Sequence, residues 1–254
     1  MTPPTLEPIG LDELMAEAAL LTRVDRKYVL SRGEAESVLA ALQPRTRVLT
    51  IDGRTAFAYE SHYFDTPELL SYRMAALGRR RRFKLRTRSY VDSTDAFLEL
   101  KTRGARSTTV KERIEYDFDA RDALTPEGLE YASDGLRPLG LPRASELGLQ
   151  ATLATRYRRT TLLAPDGGGR ATVDTGLAWE LADGTRLRTP GLVIIETKSG
   201  LRTGDLDRLL WRHGIRPSSI SKYGTGLAAM RPDLPSNKWT RVLRRSVLPT
   251  ATAA

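Results

Sequence analysis

Charged and apolar residues alternate along much of this chain. Between Arg82 and Ser89, Arg82, Lys84, Arg86 and Arg88 fall on every second position, and Phe83, Leu85, Thr87 and Ser89 fall between them. Successive side chains of a strand point to opposite faces, so this stretch predicts a strand with one cationic face. The same period recurs. Glu99, Lys101 and Arg103 oppose Leu98, Leu100 and Thr102, and Lys111, Arg113, Glu115 and Asp117 oppose Val110, Ile114, Tyr116 and Phe118. Asp25 shares a face with Lys27, Arg170 with Thr172 and Asp174, and Glu196 with Lys198 opposite Val193, Ile195 and Thr197.

Turn residues divide the pattern into elements. Strands are predicted over 24–31, 55–65, 80–91, 96–103, 108–118, 152–164, 170–179 and 191–199, with "PDGGG" a strong turn between two of them. Helical spacing predicts helices over 11–21, 32–42, 66–77, 203–214 and 221–230, and short helices within 120–150. Ser31 with Glu34 reads as a capping box, and Thr66 followed by Pro67 as a helix start. Helices do not alternate regularly with strands. The fold class expected is α+β, an eight-stranded antiparallel sheet closed as a barrel with flanking helices. Residues 1–19 read as an N-terminal helical extension, 20–235 as the main domain, and 236–254 as a partly disordered tail.

Composition narrows the chemistry. There are no cysteines, which excludes disulfides, thiolate metal sites and cysteine nucleophiles. His62 and His213 lack metal-ligand spacing and read as packing or helix-end residues. No apolar run approaches the ~20 residues of a membrane helix, and the N-terminus lacks a basic signal region, so a cytoplasmic location is expected. The net charge of +9 points to an anionic partner.

The charged faces consist almost wholly of Arg, Lys, Glu and Asp, whereas a solvated sheet face usually mixes in Ser, Thr and Gln. If the sheet closes with its apolar face against the helices, the charged face lines the interior. Many cations with a few carboxylates suit a phosphate polyanion with a divalent ion: arginine forks match phosphate oxygens, lysine adds a mobile charge, and carboxylates hold Mg²⁺ or Mn²⁺. Nucleic acid is not expected, because it is usually met by an open basic surface with aromatic platforms.

The stretches "DRKYVL", "YFDTPELLSYR", "KLRTRSY", "FLELKTR", "TVKERIEY", "YRRTTLL", "RATVDTG", "VIIETKS" and "SISKYGTG" occur in the order found in the VTC domain. The chain, over residues 20 to 235, thus resembles the polyphosphate-polymerase domain of the vacuolar transporter chaperone family, within the triphosphate tunnel metalloenzymes, also called CYTH-like. The resemblance implies an eight-stranded antiparallel tunnel, a divalent ion (Mn²⁺ or Mg²⁺), and transfer of the ATP γ-phosphate to a polyphosphate chain. By motif position it implies Lys27, Arg86, Arg88, Lys101, Arg159, Arg170 and Lys222 as phosphate ligands, with Lys27, Lys101 and Arg159 catalytic, and Glu196 as metal ligand. Face alone adds Lys84, Lys111, Arg113 and Lys198 for phosphate, and Glu99 and Asp174 for metal. The wider superfamily often carries E-x-E-x-K in its first strand. Here "RVDRK" puts Arg23 and Asp25 in the glutamate places, which favours a one-metal polymerase over a two-metal triphosphatase. The expected partners are ATP, triphosphate or polyphosphate, with a membrane protein in trans if product is exported. The alternatives are an inorganic triphosphatase, a non-catalytic polyphosphate or nucleotide sensor and, if the cationic ladder lies on an open surface, an RNA-binding protein.

Overall fold

Alternation of the kind read above builds a sheet that dominates the molecule. The structure is a computed structural model that describes residues 6–17, 24–103, 109–165, 169–200 and 202–253. In chain order the strands are β1 (Glu7–Ile9), β2 (Val24–Ser31), β3 (Arg47–Leu49), β4 (Phe57–Asp65), β5 (Arg82–Tyr90), β6 (Asp95–Arg103), β7 (Thr109–Tyr116), β8 (Gln150–Leu163), β9 (Arg170–Leu181), β10 (Arg186–Thr189), β11 (Leu192–Ser199) and β12 (Thr252–Ala253). The helices are α1 (Leu11–Glu17), α2 (Arg32–Ala40), α3 (Leu70–Ala76), α4 (Pro126–Leu136), α5 (Asp205–Arg212), α6 (Lys222–Met230) and α7 (Thr240–Val242).

Eight strands run antiparallel in the spatial order β2-β11-β9-β8-β4-β5-β6-β7. These are the eight that the alternation predicts. Among the described residues no ladder joins β7 to β2, so the expected barrel is an open tunnel with one seam. The sheet still curls, because Asp25 and Lys27 at one end and Lys101, Arg103 and Thr109 at the other line a single cavity. Short additions that the periodicity could not reveal decorate the edges: β1 pairs with β3, β3 with β8, and β10 lies between β9 and β12.

The outward apolar positions are where helices pack. Tyr28, Leu30, Val173, Val193 and Ile195 form a buried cluster with Ala35 and Val38 of α2 and Leu206, Leu209 and Leu210 of α5. Phe83, Leu85, Leu98 and Leu100 do the same with Ala132 and Leu136 of α4. The capping box at α2 is present: Ser31 Oγ accepts from the Glu34 amide at 3.3 Å, and Glu34 accepts from the Ser31 amide at 2.7 Å. α3 begins later than Thr66 and Pro67 suggest. Asp65, fully buried, accepts from the amides of Thr66, Ser71 and Tyr72 at 2.8, 2.8 and 2.9 Å, and so takes over the capping.

One end of the interior is filled. Tyr63, Tyr157, Leu177, Trp179 and Ile194 meet Tyr223 and Leu227 of α6, together with Trp239, Val242, Leu243 and Val247. The segment expected as a tail thus contributes four core residues, and just before it the Pro235 carbonyl accepts from Tyr72 at 3.0 Å. Among the described residues no helix is long and apolar enough to cross a membrane.

His62 lies on the outward face of β4 and serves Glu60. Glu60 meets His62 Nε2 at 3.4 Å, Arg156 at 2.7 Å and Arg121 at 3.2 Å. The His62 hydrogen bond pulls the Glu60 carboxyl down to about 2; burial opposes it, and Arg156 and Arg121 reinforce it. A carboxyl depressed by folding stabilises above its unfolded pKa and loses that contribution as pH falls through its folded value. Stability should therefore drop between about pH 4.5 and pH 2, by up to ~3 kcal/mol from this residue. Glu60→Gln should flatten that part of the curve in acid-titrated urea unfolding; an unchanged curve would contradict the assignment.

Candidate functional site

Register decides which charged side chains become neighbours. Lys84, Lys101 and Lys111 stand side by side across β5, β6 and β7, and Arg86, Glu99 and Arg113 form the next row. On the other wall Lys27, Glu196 and Thr172 form a row across β2, β11 and β9, with Asp25, Lys198 and Arg170 beside it. Asp174 pairs with Arg159 of β8. Arg86 and Lys101 therefore share a face, with Phe83, Leu85, Leu98 and Leu100 on the opposite one. The two walls sense each other: Lys27 repels Lys101 while Asp25 and Glu196 attract it, and Lys198 repels Lys111.

Three carboxylates organise the cations. Asp174, 1% exposed, accepts both arms of the Arg159 fork at 2.6 and 2.8 Å, and Lys222 Nζ on the same carboxylate. Burial pushes its carboxyl up, but Arg159 and then Lys222 outweigh this and hold it below the usual range. Glu99, 3% exposed, accepts from Arg86 at 2.7 and 2.9 Å and meets Lys111 at 3.0 Å and Arg88 at 3.5 Å. Glu196 is held more loosely, with Lys27 at 3.3 Å and Lys198 at 3.6 Å. Burial opposes its ionisation, yet Lys27 and Lys198 bring its carboxyl down to about 2.

The three carboxylates differ in how far cations already engage them. Among the described residues no three acidic or histidine side chains converge as a ready metal cage. Both oxygens of Asp174 accept the Arg159 fork and one also meets Lys222, whereas Glu99 accepts both Arg86 nitrogens on Oε2 and meets Lys111 and Arg88 with Oε1 only as ion pairs at 3.0 and 3.5 Å. Glu196 has oxygens without a fork, and a small hard cation needs only one or two carboxylates when phosphate oxygens supply the rest.

The remaining predicted residues spread outward. Arg113 lies on the exposed strand β7, with its guanidinium 4.6 Å from the Phe97 ring centre. Arg170 stands opposite Lys198 at the start of β9. Arg23 falls outside the described residues. Lys27, Lys84 and Lys101 border a cavity of about 390 Å³, whose other wall is the 217–221 segment and whose rim carries Arg82, Arg103 and Lys238.

Some site residues are not among the sequence candidates. Tyr157 lies beneath Arg159 and Lys222, its ring centre 5.2 and 4.3 Å away. Its parity with Arg159 was the available signal. Ser221 accepts from Lys84 Nζ at 3.0 Å, and Lys238 reaches the rim from the segment set aside as a tail; neither carries a periodic signal.

The sequence profile of the VTC domain matches residues 22–231. No curated protein sequence matches the chain. A Bacillus halodurans protein proposed to be an adenylate cyclase shares the fold, at TM-score 0.53 and 16% identity, over 79% of this chain and 94% of that one. A Hippeastrum protein, proposed to be an adenylyl cyclase and reported with a dominant triphosphatase activity, aligns at TM-score 0.49 and 18% identity, over 85% of this chain and 100% of that one.

Proposed function

The chain belongs to the VTC domain family, and from that premise we propose that its tunnel binds the phosphates of ATP and passes the γ-phosphate to a polyphosphate chain. The observation that carries this reading is the shared interior of Lys27, Lys101, Arg86, Arg159 and Glu196, built from both walls of the curled sheet. A face so rich in cations and so poor in nucleophiles suits phosphoryl transfer, in which positioning and charge neutralisation are nearly the whole task.

In this reading Lys27, Lys101 and Arg159 meet the transferring phosphate, while Arg86, Arg88, Lys111, Lys198 and Lys222 hold its neighbours. Arg113 and Arg170 extend the path outward. A terminal oxygen of the polyphosphate chain attacks the γ-phosphorus, the bond to the bridging oxygen breaks, and ADP leaves. The attacking oxygen is already ionised, so no general base is required. Glu196 is the residue suited to hold a divalent ion, Mn²⁺ or Mg²⁺, which would neutralise charge on the phosphates. Glu99 and Asp174 hold the arginines in position instead.

The test is purified protein with ATP, Mn²⁺ and a short polyphosphate primer. The expected products are longer chains and ADP, with one ADP formed for each phosphate added. Free phosphate released from triphosphate without chain growth would identify a triphosphatase, and tight binding without turnover a sensor. Either result would overturn the polymerase reading and leave the binding site standing.

A further inference from the structure

Lys84 lacks, among the described residues, the carboxylate partner that most cations of this interior have. Arg86, Arg88 and Lys111 lean on Glu99, Arg159 and Lys222 on Asp174, and Lys27 and Lys198 on Glu196. Among the described residues Lys84 has no carboxylate within ion-pair distance. Its Nζ donates to Ser221 Oγ at 3.0 Å, and the same oxygen caps α6 by accepting from the Gly224 amide at 3.2 Å. The Tyr63 ring centre lies 6.0 Å away.

The groups facing Lys84 are mainly cations. Arg86 stands on its own strand, Lys101 on β6, Lys27 on β2 and Lys238 at the rim. Asp65 follows Phe64, the register partner of Leu85, but its carboxylate is engaged by three amides and the Tyr223 hydroxyl. Asp25 lines the same cavity from β2 and attracts Lys101. Burial first, and then repulsion by Arg86, Lys101, Lys27 and Lys238, push the Lys84 ammonium down to about 7. An arginine there would keep its charge; a lysine gives up its proton.

We propose that Lys84 and the Ser221 cap form a proton-coupled phosphate subsite: above neutral pH Lys84 stands mainly as an amine in the free protein and takes a proton from solvent when a phosphate group enters the cavity beside it. This rests on the phosphate-binding reading of the tunnel and adds that the polyanion binds together with a proton. The incoming negative charge supplies the counter-ion that the fold withholds, and the helix N-terminus behind Ser221 favours the same charge. No other bond is made or broken. Burial also disfavours the charges of Lys101 and Lys111, so the part of the uptake that belongs to Lys84 is the difference between wild type and variants at this position.

The experiment is isothermal titration of inorganic triphosphate, without metal, into the full chain at about pH 8, where any proton that triphosphate itself releases is common to wild type and variants and cancels in the comparison. Repeating it in buffers of different ionisation enthalpy counts the protons absorbed. Wild type should take up nearly one proton more than Lys84→Arg or Lys84→Gln. Relative to Lys84→Arg, its affinity should weaken by up to roughly tenfold per pH unit above about 7. Triphosphate binding with equal proton counts in wild type and both variants overturns this proposal alone. No triphosphate binding at any pH overturns the phosphate-binding reading itself, and this proposal with it.

Discussion

Asp174→Ala is expected to destabilise the free protein by about 3–5 kcal/mol, because it strands Arg159 and Lys222 in the interior without their counter-ion. Asp174 is 1% exposed and both partners are 13% exposed, so water cannot take its place cheaply. The exposed pair Arg32–Glu36 on α2 is the contrast: Glu36→Ala should cost less than about 1 kcal/mol. A site built for anions adds a second signature to the loss. Triphosphate should restore part of the stability of Asp174→Ala, since its charge can satisfy the two orphaned cations. Urea unfolding of both variants, with and without triphosphate, measures this. A loss at Asp174 no larger than that at Glu36, or no recovery with triphosphate, would mean that the cluster is ordinary surface electrostatics.

The strands and their faces were legible because a period of two leaves little ambiguity once charges mark one side. Arg82 to Tyr90 buries Phe83, Leu85, Thr87 and Ser89 and leaves the alternate positions partly exposed, as the alternation predicts. The Ser31 cap was legible for a similar reason, since capping boxes are local. Long-range contacts were not. Asp65 caps α3 from the end of β4 at separations of six and seven residues, beyond the three-residue spacing by which a capping box is read. Trp239, Val242 and Val247 enter the core from a stretch whose prolines and arginines resemble a tail. Closure of the sheet is likewise a global property: the alternation is the same in an open or a closed ribbon, and among the described residues β2 and β7 do not pair with each other along the seam.

The roles of the carboxylates show how burial changes a reading. By face alone Glu99, Asp174 and Glu196 are equivalent candidates for a metal ion. The contacts grade them: the Arg159 fork engages both oxygens of Asp174, Arg86 engages one oxygen of Glu99, and Glu196 meets lysines at 3.3 and 3.6 Å. Lysine ammonium groups move aside more readily than a planar arginine fork held at two points.

Lys101 and Glu196 should respond in opposite senses in the free protein and in the same sense with ligand. Burial, then repulsion by Lys27, already disfavours the Lys101 charge, so Lys101→Ala should leave the free protein as stable as wild type or slightly more stable. Glu196→Ala should lower stability, because Lys27 and Lys198 lose their counter-ion. Triphosphate with Mn²⁺ should stabilise the wild type by ~3–4 kcal/mol at 100 to 1,000 times its Kd. Both variants should lose much of that gain, Lys101→Ala through a missing phosphate contact and Glu196→Ala through a missing ligand for the ion.

The most direct test of the tunnel is the shift in melting temperature on adding triphosphate and Mn²⁺ to Lys101→Ala, set beside Arg186→Ala. Arg186 is an outward cation, 51% exposed, that pairs with Glu180. If the inward face is the binding site, Arg186→Ala keeps the wild-type shift and Lys101→Ala loses most of it. Equal shifts in the two variants would contradict the account, because the charge that binds the polyanion would then not be the charge inside the tunnel.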